Sequence, residues 1–172
     1  MQTSATGTWS RSHGFTLIEL AVVLVILGIA ATLVLPRLTN LGRNNLRASG
    51  QRLAITVKSL YNEAALSGET HLLVLQIDQG RFAVHRRVNK GEVVEEQLVG
   101  KERELEPGIR FRDVSVKGQG TLRSGEIKLH AYPVGWMDES TIHLVGENGE
   151  VLTLHIPPLA GMAEVFGDDR EF

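Results

Sequence analysis

Residues 14–20 read Gly14-Phe15-Thr16-Leu17-Ile18-Glu19-Leu20, and residues 21–35 continue AVVLVILGIAATLVL. Positions 17–35 hold 19 residues, and Glu19 is the one ionisable group among them. As a helix rising ~1.5 Å per residue the run spans about 28 Å, close to the ~30 Å hydrocarbon core of a bilayer. A secretory signal peptide carries a shorter apolar region, ~7–15 residues, followed by small-residue cleavage chemistry. The sequence LVLPRLTN at 33–40 is a poor cleavage site. A buried core helix keeps a polar face, and this run has none. A membrane-spanning segment is therefore expected. Glu19 is the informative residue. A carboxylate in a bilayer helix costs about 2.5–3.5 kcal/mol at the centre and less near the interface, so it calls for a partner. The nearest cation would be an α-amino group, present only if the chain were cut just before Phe15.

The whole chain has 172 residues, enough for one domain with an appendage. Eighteen Lys and Arg against 20 Asp and Glu give a net charge of −2, which excludes an overall polycation with nonspecific affinity for nucleic acid. Hydrophobic residues make up 42%, so the chain as a whole is not disordered. With no cysteine, disulfides, thiolate zinc sites and Cys nucleophiles are excluded.

The segment from Gly14 to Glu19 resembles the prepilin motif of type IV pilins and type II secretion pseudopilins. The resemblance implies that a membrane aspartyl peptidase cuts after Gly14 and methylates the new N-terminal Phe15. It implies that Glu19, fifth in the mature chain, neutralises the N-terminal amine of a neighbouring subunit during assembly. Cleavage would remove Arg11 and leave 17 basic against 20 acidic side chains, or −3. Arg37, Arg43, Arg47, Arg52 and Lys58 follow the apolar run, and no acidic residue occurs from 20 to 62. Positive-inside counting favours the opposite orientation; the family places the C-terminal part in the periplasm, and that placement is adopted. The basic stem then faces lipid phosphates, acidic neighbours or solvent.

Past the apolar run, Leu46, Gly50, Leu53, Val57, Leu60 and Ala64 recur at alternating spacings of four and three, one stripe of an amphipathic helix expected to pack on the protein's own globular part. Pro36 is expected to kink or break the helix; filament pilins often have proline there. Ser67-Gly68 ends it. Short strands follow, expected at 71–78, 81–88, 92–99, 109–116, 126–132, 141–145, 151–156 and 162–166. Turns are read at 79–80 and 89–91, and the stretch 100–106, with KERELE at 101–106, as a solvated connection. The fold class is α+β: a long N-terminal helix, transmembrane in its first half, packed on an antiparallel sheet or sandwich, a pilin-like fold. The expected divisions are a leader at 1–14, a transmembrane helix half at 15–36, an amphipathic periplasmic half at 37–67, and a β-rich periplasmic domain at 68–172.

A finer resemblance lies in LHAYPVG at 129–135, Ile142-His143-Leu144, and LHIPPLAG at 154–161, which looks like the end of the H-type minor pseudopilin and FimT-like family. Ala160 stands where that family usually has Thr, and Met162 where it often has a basic residue.

Nothing reads as an active site: GxxxxGK[ST], GxGxxG and GxSxG are absent. The adjacent carboxylates Glu95-Glu96 and Asp168-Asp169 point to opposite faces of a strand and are read as solvated surface. His130, His143 and His155 fall on three successive expected strands. Pairing Leu144 with Leu154 sets His143 opposite His155 and requires a loop longer than Asn148-Gly149. With no acidic partner at clear spacing, a polar outer face is expected rather than a metal site. DNA binding, known for some FimT-like pilins, needs a basic end, whereas residues 167–172 hold three acidic side chains and one Arg. Arg81, Arg86 and Arg87 are the remaining candidate patch.

The expected function is a minor pseudopilin of a type II secretion system, anchored in the inner membrane, neither enzyme nor cofactor binder. The alternative is a minor type IV pilin. Expected partners are other pseudopilins, the prepilin peptidase/methyltransferase, the inner-membrane assembly platform, lipid before assembly, and secreted substrate; nucleic acid is not among them.

Overall fold

A computed structural model describes residues 16–90 and 93–172, with the side chains of all of these except 31–41 and 90. Gly14 and Phe15 lie outside the described residues, and so does Gly91 of the expected turn. The chain forms two compact units, Met1–Leu38 and Thr39–Phe172.

In the first unit, Thr16 starts the helix α1 (Leu17–Ser67). Its hydroxyl accepts the Glu19 N–H at 3.3 Å and its carbonyl accepts the Leu20 N–H at 3.2 Å. Threonine three residues before glutamate is the spacing of a capping box, and a carboxylate in the first turn suits the helix dipole. Every residue from 17 to 30 is exposed, with Leu20, Leu24 and Leu27 each more than half open. Among the described residues no helix is long and apolar enough to cross a membrane; the apolar run itself continues into 31–35, beyond the described side chains. The helix is continuous through Pro36, so it is not broken there. Proline removes one rung of the hydrogen-bond ladder, and the turns on either side stay helical.

In the second unit the remainder of α1 buries the stripe read from the sequence: Leu46, Gly50, Leu53, Val57, Leu60 and Ala64 all face the core. Gly50 allows the close approach, because a Cβ there would sit 2.7 Å from Leu152 Cδ2. Gly68 ends the helix at φ 71°, its N–H bonding the Ala64 carbonyl at 3.1 Å.

Ten strands follow among the described residues: β1 (His71–Gln76), β2 (Arg81–Lys90), β3 (Val93–Glu104), β4 (Ile109–Val116), β5 (Gly120–Leu122), β6 (Glu126–Tyr132), β7 (Trp136–Met137), β8 (Ser140–Gly146), β9 (Val151–Ile156) and β10 (Glu164–Phe166). They form two five-stranded sheets, ordered β3-β2-β1-β6-β7 and β10-β9-β8-β4-β5, with antiparallel pairing throughout. Inner-face residues of both sheets and the stem stripe share one core, with Leu73, Leu75, Phe82, Leu129, Ile142 and Leu154 at its centre.

Three expectations are corrected. Residues 101–104 of KERELE are not a connection; they extend β3, with Arg103 opposite Phe82 and Glu104 opposite Arg81. Both faces of β3 are largely exposed, so charge there opposes nothing. Residues 77–79 leave the first strand as a 3-10 turn. The β8–β9 hairpin pairs Leu144 with Leu152 and Ile142 with Leu154, so His143 faces Thr153 and Thr141 faces His155. The shift is two residues, which preserves the faces. The loop is longer than two residues, as expected, closed by the Gly149 N–H to Gly146 carbonyl bond at 3.0 Å.

Candidate functional site

The N-terminal segment presents one acid at the head of an uncovered apolar helix. Glu19 is exposed in the first turn, with its N–H held by Thr16. The sequence signal for that cap, Thr-x-x-Glu, lies inside the stretch read for processing. Phe15, the expected methylated terminus, lies beyond the described residues.

The three histidines are not brought together. His130 lies in the first sheet, its Nδ1 2.8 Å from the Asp138 carboxylate, which also accepts the His130 N–H at 2.9 Å. Its ring stacks on Tyr132, which stacks on Trp136. His155 stacks on Phe172 with centroids 4.1 Å apart. Among the described residues no group of three or more metal-ligating side chains forms.

His143 is the most constrained of the three. A bulge between Phe111 and Asp113 inserts Arg112 into β4, so Arg112 and Asp113 share the outer face while Phe111 and Val114 stay in the core. The His143 Nδ1 is 2.6 Å from Asp113 Oδ1, and Nε2 is 2.8 Å from the Arg170 carbonyl oxygen. Arg112 donates from Nε to Asp113 at 2.7 Å and from both terminal nitrogens to Asp169 at 2.6 and 2.9 Å. Burial pushes the Asp113 carboxyl up, but hydrogen bonds from His143 and Arg112 outweigh it and hold the group below its usual range. The Arg112 guanidinium likewise holds Asp169 low. The outer face of the second sheet is polar, as read, and it is covered in part. Residues 167–172 lie across it as a strap, and His143 and Thr153 are buried beneath. The acidic partner missed in the sequence, Asp113, is 30 residues from His143 and reaches it only through the bulge.

The other charged candidates are paired. Arg81 meets Glu104, Arg86 meets Glu69, and Arg87 meets Glu96, so they make no free basic patch. Lys128 donates to Glu96 at 2.6 Å, which holds the Glu96 carboxyl below its usual value. Asp169 with Arg112, and Glu96 with Lys128, are engaged rather than merely hydrated. On the stem, Arg43 pairs with Glu150 and Arg52 with Glu106, so part of the basic face is neutralised within the chain.

At one end of the sheets Tyr61 of α1 donates to the Gly135 carbonyl at 3.1 Å. Its ring lies 2.8 Å from where a Cβ of Gly161 would stand. Both glycines belong to the C-terminal segments singled out in the sequence.

Residues 9–35 match the model of the prokaryotic N-terminal methylation motif. The minor pseudopilin EpsH of the type 2 secretion system of Vibrio cholerae superposes with a TM-score of 0.59 at 14% identity, over 74% of this chain and 99% of that one. The fold is pilin-like. E. coli GspH, a second structure of this pilin-like fold, gives a TM-score of 0.54 at 10% identity over 72% of this chain and 88% of that one. The type IV narrow pilus major component PilA5 of Thermus thermophilus is 39% identical over 59 residues, 34% of this chain. The matched stretch spans about half (51%) of that relative's length.

Proposed function

We propose that this chain is a structural subunit of a pilin-type filament and, more finely, a minor pseudopilin of a type II secretion system, not an enzyme. The observation that carries the reading is the union, in one chain, of the methylation motif over 9–35 with the two-sheet fold shared with EpsH. Cleavage falls after Gly14, and Phe15 becomes the methylated terminus. The exposed apolar residues 17–30 lead a helix that sits in the inner membrane before assembly and packs against sister helices afterwards. Glu19 then meets the amine of a neighbour, because an unpaired carboxylate among apolar helices is costly. Pro36 bends the helix between its lipid-facing and domain-facing parts. The domain from 68 to 172 stands in the periplasm, where it meets other pseudopilins and secreted substrate. A minor type IV pilin is the second reading, favoured by the 39% identity to PilA5.

The test is made in a host carrying the peptidase. Intact-mass analysis is expected to find a chain beginning at methylated Phe15. Glu19→Ala is expected to be cleaved normally yet lose most of its crosslinking to filament subunits. An intact leader would refute the processing, and full incorporation of the Glu19→Ala chain would refute the pairing. Crosslinks to secretion pseudopilins rather than to a major pilin separate the two readings.

A further inference from the structure

Residues 167–172 are held by an array that reads an extended peptide. Thr153 Oγ1 donates to the Asp168 carbonyl at 2.7 Å and accepts the Arg170 N–H at 3.2 Å. His143 Nε2 reaches the Arg170 carbonyl, Arg112 takes the Asp169 carboxylate with two donors, and His155 stacks on Phe172. Backbone is thus recognised at 168 and 170, an acid at 169 and an aromatic ring at 172. Two of the receiving groups are polar yet buried, His143 at 4% and Thr153 at 0% exposed, and Asp113, which holds His143, is at 6%. A sheet face built for water leaves such groups open; this one is built to be covered.

The cover itself is lightly held. Asp168, Asp169 and Arg170 keep about half of their side chains in solvent, and Phe172 is 61% exposed. Exposed ion pairs bind weakly because water and salt compete for both partners. No buried apolar anchor from 167–172 enters the core cluster. Gly167, which joins the strap to β10, has no neighbouring atom that a Cβ would meet, leaving room to pivot. A cleft of about 560 Å³ opens beside it, lined by Arg112, Thr121, Arg123, Thr141, Glu171 and Phe172.

We propose that the outer face of the second sheet is a docking groove for an acidic extended segment, and that residues 167–172 of a second copy exchange with the resident strap when chains are held close. Exchange conserves every contact, so the two arrangements differ little in energy and local concentration decides between them. Charge complementarity between Arg112 and Asp169 names the occupant. The inference stands apart from the filament reading, since it concerns only the groove and its own strap.

The test uses the full chain in detergent with two single variants. Arg112→Asp makes groove and strap both acidic, and Asp169→Arg makes both basic, so each variant alone should lose its strap and stay monomeric. An equimolar mixture should form a heterodimer in sedimentation velocity, because each strap now matches the other chain's groove. The double variant Arg112→Asp/Asp169→Arg should regain the wild-type mass and Tm. A mixture that stays monomeric while the double variant recovers its Tm overturns the proposal and leaves a strap that works only within its own chain. If a single variant does not fold, a chain stopped after Phe166 is titrated with a labelled peptide of residues 167–172. Saturable binding, weakened at least tenfold by Asp169→Ala in the peptide, supports the groove; no binding overturns it.

Discussion

Thr16 and Glu19 give one short stretch two physical duties. The helix needs an acceptor for its first free N–H groups and gains from a negative first turn; assembly, as proposed, needs the same carboxylate unencumbered. The cap here runs from the Glu19 backbone to Thr16, and the Glu19 residue itself is exposed. Gly161 shows a different constraint. Its φ of 65° is left-handed, and a Cβ would stand within 3 Å of the Tyr61 ring. Gly161→Ala is expected to cost about 1–3 kcal/mol, from backbone strain and overpacking together. Denaturant unfolding of the variant checks this, with an unchanged midpoint as the contrary result.

At the level of elements, the strap and its bulged strand respond to acid together. Asp113 and Asp169 both have folded pKa values below the ordinary carboxylate range. Groups so depressed contribute stability above their unfolded value, about 4, and lose it as pH falls through the folded values. Wild type is therefore expected to exceed Asp169→Asn in Tm at pH 6, with the gap closing as pH falls below the ordinary carboxylate range. A gap that persists in acid would deny the carboxylate its part. The sequence made the stem stripe legible because burial on one helix face leaves a period, and Leu53, Val57 and Leu60 are all at or near zero exposure. It made β4 and β6 legible for the same reason at period two, since buried and open residues alternate along them. It could not disclose the partnership of Asp113 with His143, since a bulge is decided by which strands meet rather than by local residue type. KERELE was misread because charge usually signals a loop, whereas an edge strand wet on both faces tolerates it. Burial of His143 was hidden too, because its cover comes from residues 167–172.

Over the whole molecule, the division at residues 38 and 39 carries its own expectation. The buried core draws its α1 residues from Leu46 onward, and the described apolar residues of the first unit are exposed. A chain of residues 39–172 should therefore be soluble without detergent and unfold in one cooperative transition, while the full chain should require detergent. Sedimentation and thermal melts of both forms check this; aggregation of the shorter chain would mean that its surface depends on the first unit. The pilin-like architecture was expected from the motif and the helix-then-strands order, and the fold shared with EpsH bears it out.

The long border formed by β3 has a bearing on life among many siblings. Twelve residues of strand lie at the margin of the first sheet, open on their far side among the described residues. Open margins invite neighbours to zip on and stick. Here Glu95, Glu96, Lys101, Glu102, Arg103 and Glu104 line that margin with charged side chains, which hinders strand addition by a neighbour. The same charges that disguised the strand thus blunt its open edge against stray pairing.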